Sequence, residues 1–127
     1  MIEAHGLSKR YGSKTAVDNV SFTVEPGKVT GFLGPNGAGK STTLRMLTSL
    51  LRPTAGSAVV AGYDVVRHPA EVRARIGYIG QGNAGGYSYR VGDELQNQGR
   101  FYSVPADVAR RRAGELLEAL ELSGMEK

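Results

Sequence analysis

The chain has 127 residues, 40% of them hydrophobic and 22% charged, which is ordinary composition for a folded protein and excludes wholesale disorder. It has no cysteine, so disulfides and thiolate metal sites are excluded and a cytosolic setting is the default expectation. No apolar run approaches the ~20 residues that span a bilayer, MIEAHGLSKR lacks a signal-peptide core, and the net charge of +4 suits nucleotides, nucleic acid or an anionic membrane face without choosing among them.

A chain of this length is a single small domain or part of one, able to bury roughly two-thirds of its unfolded surface. Its first third reads as β-structure: IEAHGLSKRY, AVDNVSFTV and KVTGFLG, separated by turn signals at Tyr11-Gly12-Ser13 and Glu25-Pro26-Gly27. Val20, Phe22 and Val24 alternate with Asn19, Ser21 and Thr23, as in a half-buried antiparallel strand. VTGFLG is apolar on both faces and predicts a fully buried central strand. Next, STTLRMLTSLL sets Leu44, Leu47 and Leu51 at helical spacing and predicts a helix ended by Pro53. AGSAVVAGYDV predicts a strand, PAEVRAR a short helix and IGYIGQ a further strand, followed by the Gly/Tyr-rich loop GNAGGYSYR. From Pro105 to Leu122 runs an amphipathic helix with Ala109, Ala113, Leu116, Leu117 and Leu120 on its apolar side. There is no internal repeat.

The chemistry concentrates in GPNGAGKST, Gly34 to Thr42. Gly34, Gly37 and Gly39 permit positive φ and a close wrap of the main chain, which turns N–H groups inward as an anion nest. A helix starting behind them adds a partial charge of about +0.5 at its N-terminus. Lys40 adds a full positive charge and Ser41 a hydroxyl of the kind that ligates Mg²⁺. The pattern G-x-x-x-x-G-K-[ST] is complete and lies between a predicted strand and a predicted helix, which assigns the loop to the phosphates of a nucleoside triphosphate.

With its flanks, GLSKRYGSKTAVDNVSFTVEPGKVTGFLGPNGAGKSTTLRMLTSLLRPTAGSAVVAGYDV resembles the N-terminal half of an ATP-binding cassette (ABC) transporter nucleotide-binding domain of the drug-resistance exporter type. The resemblance runs from about Ile2 to Leu122. It implies an α/β P-loop NTPase fold, an ABC ATPase core with an antiparallel β-subdomain; the β-subdomain and P-loop core would fill about 1–81, and the Q-loop and the start of a helical subdomain, opening at RVGDEL, about 82–127. It implies Gly34, Pro35, Asn36, Gly37, Ala38, Gly39, Lys40, Ser41 and Thr42 around ATP, with Lys40 and Gln81 as the catalytic residues. Tyr11 in KRYG matches the aromatic residue that stacks on adenine. Val17 matches a small apolar residue lining the nucleotide pocket, a position that core packing explains equally well. Gln81 matches the Q-loop glutamine, which reaches Mg²⁺ and the attacking water, so that Ser41 and Gln81 are the implied metal ligands. The implied partners are a transmembrane permease subunit and a second nucleotide-binding domain. The implied location is the cytoplasmic face of the cell membrane, and no nucleic acid is expected. Arg110, Arg111 and Arg112 read as a solvated helix face, and His5 and His68 as isolated.

Several family elements have no counterpart. LSGMEK begins like the LSGGQ signature but lacks its second glycine and reads as a helix stop at Gly124. No apolar strand ends in Asp-Glu: SAVVAGYD comes nearest, with Gly62 and Tyr63 interrupting it and no Glu after Asp64. No switch histidine is found. The expectation is half of such a domain, truncated before the signature and Walker B motifs, which binds ATP and by itself hydrolyses none. Two alternatives stay open: a small P-loop kinase or GTPase, disfavoured by the β-structure ahead of the loop, and a non-catalytic nucleotide-binding module.

Overall fold

The computed structural model describes residues 1–80 and 90–124. The chain divides into two compact units, Met1–Tyr78 and Ile79–Lys127. The first holds an antiparallel sheet made of β1 (Ile2–Tyr11), β2 (Lys14–Val24), β3 (Ala55–Val60) and the short β4 (Tyr63–Asp64), in the order β2-β1-β3-β4. With it come helices α1 (Lys40–Leu47) and α2 (Pro69–Arg73).

The alternation read in β2 holds. Val20, Phe22 and Val24 are half-buried and pair with Leu7, Ala4 and Ile2 of β1, while Asn19, Ser21 and Thr23 are exposed. β1 is irregular at Gly6, where φ is +57°. There Gly56 of β3 (φ +78°) comes so close that a Cβ on it would lie 2.2 Å from the Gly6 carbonyl oxygen, so only glycine fits the crossing. Side chains take over the backbone bonding lost at this irregularity: Gly6 N–H donates to Ser21 Oγ at 2.8 Å and Asn19 N–H to Ser8 Oγ at 2.9 Å. One core joins the sheet residues Ala4, Leu7, Val17, Ala58 and Val60 to Met46 and Leu47 of α1, Val65, and Val72 of α2.

Four expectations for this unit need correction. Residues 29–34 form no strand, and Val29 and Leu33 are 105% and 93% exposed. An apolar run becomes a buried strand only where a neighbour supplies its ladder, and no described strand pairs with this one. Residues 76–80 likewise lie outside the sheet. AGSAVVAGYDV is two strands, broken by the turn at Ala61 (φ +50°) and Gly62 (φ +85°). Helix α1 stops at Leu47 rather than running to Pro53 and buries Thr43, Met46 and Leu47, leaving Leu44 43% exposed. Its end is a left-handed cap: Ser49 (φ +58°) donates to Met46 O at 3.1 Å and Leu50 N–H to Arg45 O at 2.9 Å, which satisfies carbonyls that the helix leaves free.

The second unit is a helical hairpin of α3 (Val91–Phe101) and α4 (Ala106–Ala119). Gly99 lets them approach, since a Cβ there would lie 2.9 Å from that of Ala109. Ala109, Ala113 and Leu117 of α4 are buried as expected, whereas Leu116 and Leu120 are exposed. Arg110, Arg111 and Arg112 are exposed too, with Arg111 Nε 3.8 Å from Glu115. The stop falls at Glu121 (φ +58°) rather than Gly124: Glu121 N–H donates to Glu118 O at 3.0 Å and Leu122 N–H to Leu117 O at 2.8 Å. Among the described residues no helix is long and apolar enough to cross a membrane.

Candidate functional site

The glycine-rich loop is built from its own backbone outward. A turn at Asn36 and Gly37 (φ +84°) is closed by Ala38 N–H donating to Pro35 O at 3.2 Å. Gly39 then adopts φ +87° as the residue that caps α1, and its carbonyl accepts from Thr43 N–H at 2.8 Å and Thr43 Oγ1 at 3.0 Å. Thr43 is buried, so this first turn is anchored from inside. No side chain caps the helix start and its first turn carries no acid. The N–H groups of Lys40, Ser41 and Thr42 therefore have neither intrahelical acceptors nor a carboxylate in their own turn.

Gly39 also fixes where the loop sits. A Cβ on it would stand 2.4 Å from the Ala16 carbonyl oxygen and 2.9 Å from Val17 Cγ2, so the helix start rests directly on the first part of β2. Val17 is buried at 5% exposure and belongs to the core, and it also forms the wall against which Gly39 packs.

Lys40 folds back into its own loop, with Nζ donating to the carbonyl oxygens of Gly34 at 2.5 Å and Pro35 at 2.7 Å. The ammonium and the uncapped helix N–H groups are a donor set that suits a multiply charged oxyanion. Ser41 is exposed at the second position of α1 and Thr42 half-buried at the third; Pro35, Asn36 and Ala38 are exposed. The donors, the charge and the hydroxyl fit a triphosphate with its cation. Among the described residues no group of three or more His, Asp or Glu side chains could hold a metal ion.

Tyr11 ends β1 and is 51% exposed. The ladder relates it to the loop: Lys9 pairs with Val17, and Tyr11 lies two residues further along, about 7 Å at strand rise. Tyr11 itself pairs with Lys14, at the start of the strand that carries Ala16 and Val17. Gln81 lies outside the described residues. His5 is exposed on β1, and His68 precedes α2 with its ring 6.2 Å from that of Tyr63. Among the described residues neither belongs to a group of three or more His, Asp or Glu that could hold a metal ion. Two contributors went unread in the sequence: the Ala16 carbonyl beneath Gly39, and Lys9, whose Nζ lies 5.3 Å from the centre of the Tyr11 ring. Only the strand spacing of Lys9 and Tyr11, two apart on one face, could have signalled the second.

Residues 17–127 match the family described as ABC transporter. The daunorubicin resistance ATP-binding protein DrrA2 of Streptomyces coeruleorubidus is 46% identical over 122 residues, covering 96% of this chain and 38% of that protein. The doxorubicin resistance ATP-binding protein DrrA of Mycobacterium tuberculosis is 46% identical over 123 residues, covering 95% of this chain and 37% of that protein. The chain thus spans less than two-fifths of the length of these curated relatives. A solved ATP-binding subunit of an ABC transporter superposes with a TM-score of 0.81 at 27% identity, over 95% of this chain and 50% of that one. A dimeric ATP-binding cassette bound to ADP and Pi superposes with a TM-score of 0.82 over 99% of this chain and 60% of that one, its 22% identity supporting the fold. The fold is the α/β P-loop core of an ABC ATPase, and the chain belongs to the ABC transporter family.

Proposed function

We propose that this chain is the ATP-binding portion of the ATPase subunit of an ABC exporter. Gly34 to Thr42 hold the phosphates, Lys40 supplies the positive charge against them, and Tyr11 stacks on the adenine ring. Mg²⁺ bound with the nucleotide neutralises phosphate charge, and the Ser41 hydroxyl and the Gln81 side chain are its proposed protein ligands. The observation that carries the reading is the placement of the Lys40 ammonium inside a loop whose Gly39 opens α1 with its N–H groups uncapped. Residues 1–81 make up the β-subdomain and nucleotide core, and 82–127 open the helical subdomain.

Hydrolysis, transport and partners are proposals for the longer protein. We assign it to export of a hydrophobic, drug-like compound through a membrane-embedded permease, with a second nucleotide-binding domain beside it on the cytoplasmic face. This reading is supported by the names of two relatives, which pair ATP binding with resistance to daunorubicin or doxorubicin. The 127 residues themselves bind the nucleotide; they hold no strand ending in Asp-Glu, and LSGMEK lacks the second glycine of LSGGQ. Titration with a fluorescent ATP analogue tests it. Saturable binding, displaced by unlabelled Mg-ATP and by inorganic tripolyphosphate, is expected; a signal that neither competitor displaces overturns the assignment.

A further inference from the structure

We infer that Lys9 is a positioning residue for the nucleobase, acting through Tyr11; the inference rests on the reading of Tyr11 as the adenine platform. Lys9 and Tyr11 are two apart on β1, so their side chains rise from one face of the strand. The Lys9 ammonium lies 5.3 Å from the centre of the Tyr11 ring, within cation–π range. It is held there by a second partner, the carbonyl oxygen of Arg52, to which Nζ donates at 2.7 Å. This second bond favours the position of the ammonium over the ring.

Arg52 belongs to the short connection from α1 to β3, and this connection is strapped to β1 at neighbouring points. Thr54 N–H donates to Ser8 O at 2.9 Å, and Arg10 N–H to Thr54 Oγ1 at 3.1 Å. The same helix that begins at the phosphate loop therefore ends in a segment that fixes Lys9, and Lys9 in turn fixes the ring. With one face of Tyr11 taken by the ammonium, a planar base is left the opposite face, and the ring remains half exposed to receive it. A stacking partner ordered before binding spares the nucleotide the loss of that side chain's freedom, which is worth about three- to tenfold in affinity.

The test compares Mg-ATP with Mg-tripolyphosphate, which has no base, by calorimetric titration of the full 127-residue chain carrying Lys9→Met or Lys9→Arg. Lys9→Met keeps the aliphatic stem and removes the charge. It is expected to weaken ATP about three- to tenfold while leaving tripolyphosphate unchanged, and Lys9→Arg is expected to recover ATP. The unchanged tripolyphosphate affinity also reports that the variant is folded. Equal loss of both ligands, or no loss of either, overturns the proposal. The underlying reading is checked separately with Tyr11→Trp, which places a single tryptophan in a chain that has none. If ATP leaves its fluorescence unchanged, Tyr11 is no base platform and the role of Lys9 falls with it.

Discussion

The Lys40 ammonium and the Gly34 carbonyl oxygen are 2.5 Å apart, and this bond, with its companion to Pro35 at 2.7 Å, closes the phosphate loop on itself. On the proposed reading, a triphosphate would enter a site whose cation is already hydrogen-bonded, and the lysine would exchange neutral acceptors for charged ones. Charge-assisted bonds are about twice as strong as neutral ones, so the exchange favours the anion.

From this follows an ordering of two variants. A lysine beside a phosphate oxygen at 4 Å gains roughly 4 kcal/mol at an effective dielectric near 20, against roughly 1–3 kcal/mol for stacking one base. Lys40→Ala is expected to remove most triphosphate binding and Tyr11→Ala to weaken it modestly. Titration of both with a fluorescent ATP analogue checks the order. A larger loss at Tyr11 would put the binding energy at the wrong end of the nucleotide.

Two glycines of the loop separate strain from contact. Gly37 and Gly39 have nearly the same left-handed φ, +84° and +87°, but a Cβ on Gly37 meets nothing within 4 Å whereas one on Gly39 runs into Ala16 O at 2.4 Å. Gly37→Ala should cost only the conformational penalty, about 1–2 kcal/mol. Gly39→Ala adds a backbone clash and must push α1 off β2. The expected result is a lower melting temperature for both, with Gly39→Ala clearly the worse and ATP binding lost only there. Equal melts would mean that β2 yields to the extra methyl group.

What was legible in the sequence was local. The phosphate loop is a matter of spacing within nine residues, and β2 shows its half-burial in the alternation of Val20, Phe22 and Val24. Val29 to Leu33 was misread because a strand is defined by its neighbour, and the residues that would pair with it cannot be inferred from its own composition. The end of α1 was missed for a different reason: Ser49 takes the left-handed position that usually signals itself through glycine. The Gly39–Ala16 and Lys9–Arg52 contacts join residues 23 and 43 positions apart, and only the folded chain brings such pairs together.

Asp64 makes a pH-dependent contribution. Its Oδ1 accepts from Val66 N–H and Arg67 N–H, both at 2.8 Å, fixing the turn after β4. The bond from Arg67 N–H, followed by that from Val66 and the nearby charges of Arg67 and His68, outweighs burial and lowers the pKa of the carboxyl below its ordinary 3.8. A carboxylate favoured in the folded state stabilises above its unfolded pKa, and the effect disappears as pH falls through the lowered value. Asp64→Ala should therefore cost about 1 kcal/mol near pH 7, as loss of a cap does. The gap in melting temperature between the two proteins should narrow below about pH 4. A gap that stays constant down to pH 3 would show that the carboxylate charge plays no part.

Exposed apolar backbone governs how the isolated chain behaves in solution. Val29 and Leu33 are 105% and 93% exposed on a segment outside any strand or helix, with Phe32 between them packed against Phe22 at 5.5 Å between ring centres. Burying one such side chain is worth about 1.5–3 kcal/mol, and an extended apolar run with free N–H and C=O groups is a template for another chain. Total stability is typically about 5–15 kcal/mol, so association through this segment competes with folding itself. The 127-residue chain is expected to form larger species as its concentration rises, seen by size-exclusion with light scattering, and Mg-ATP should reverse little of it. Val29→Lys with Leu33→Gln should shift the distribution toward monomer. Leu50→Gln, which removes an exposed side chain just beyond α1 instead of from an extended run, should leave it unchanged. A chain that stays monomeric at every concentration, or one that responds to Leu50→Gln as much as to the paired change, would show that residues 29–33 are no association edge.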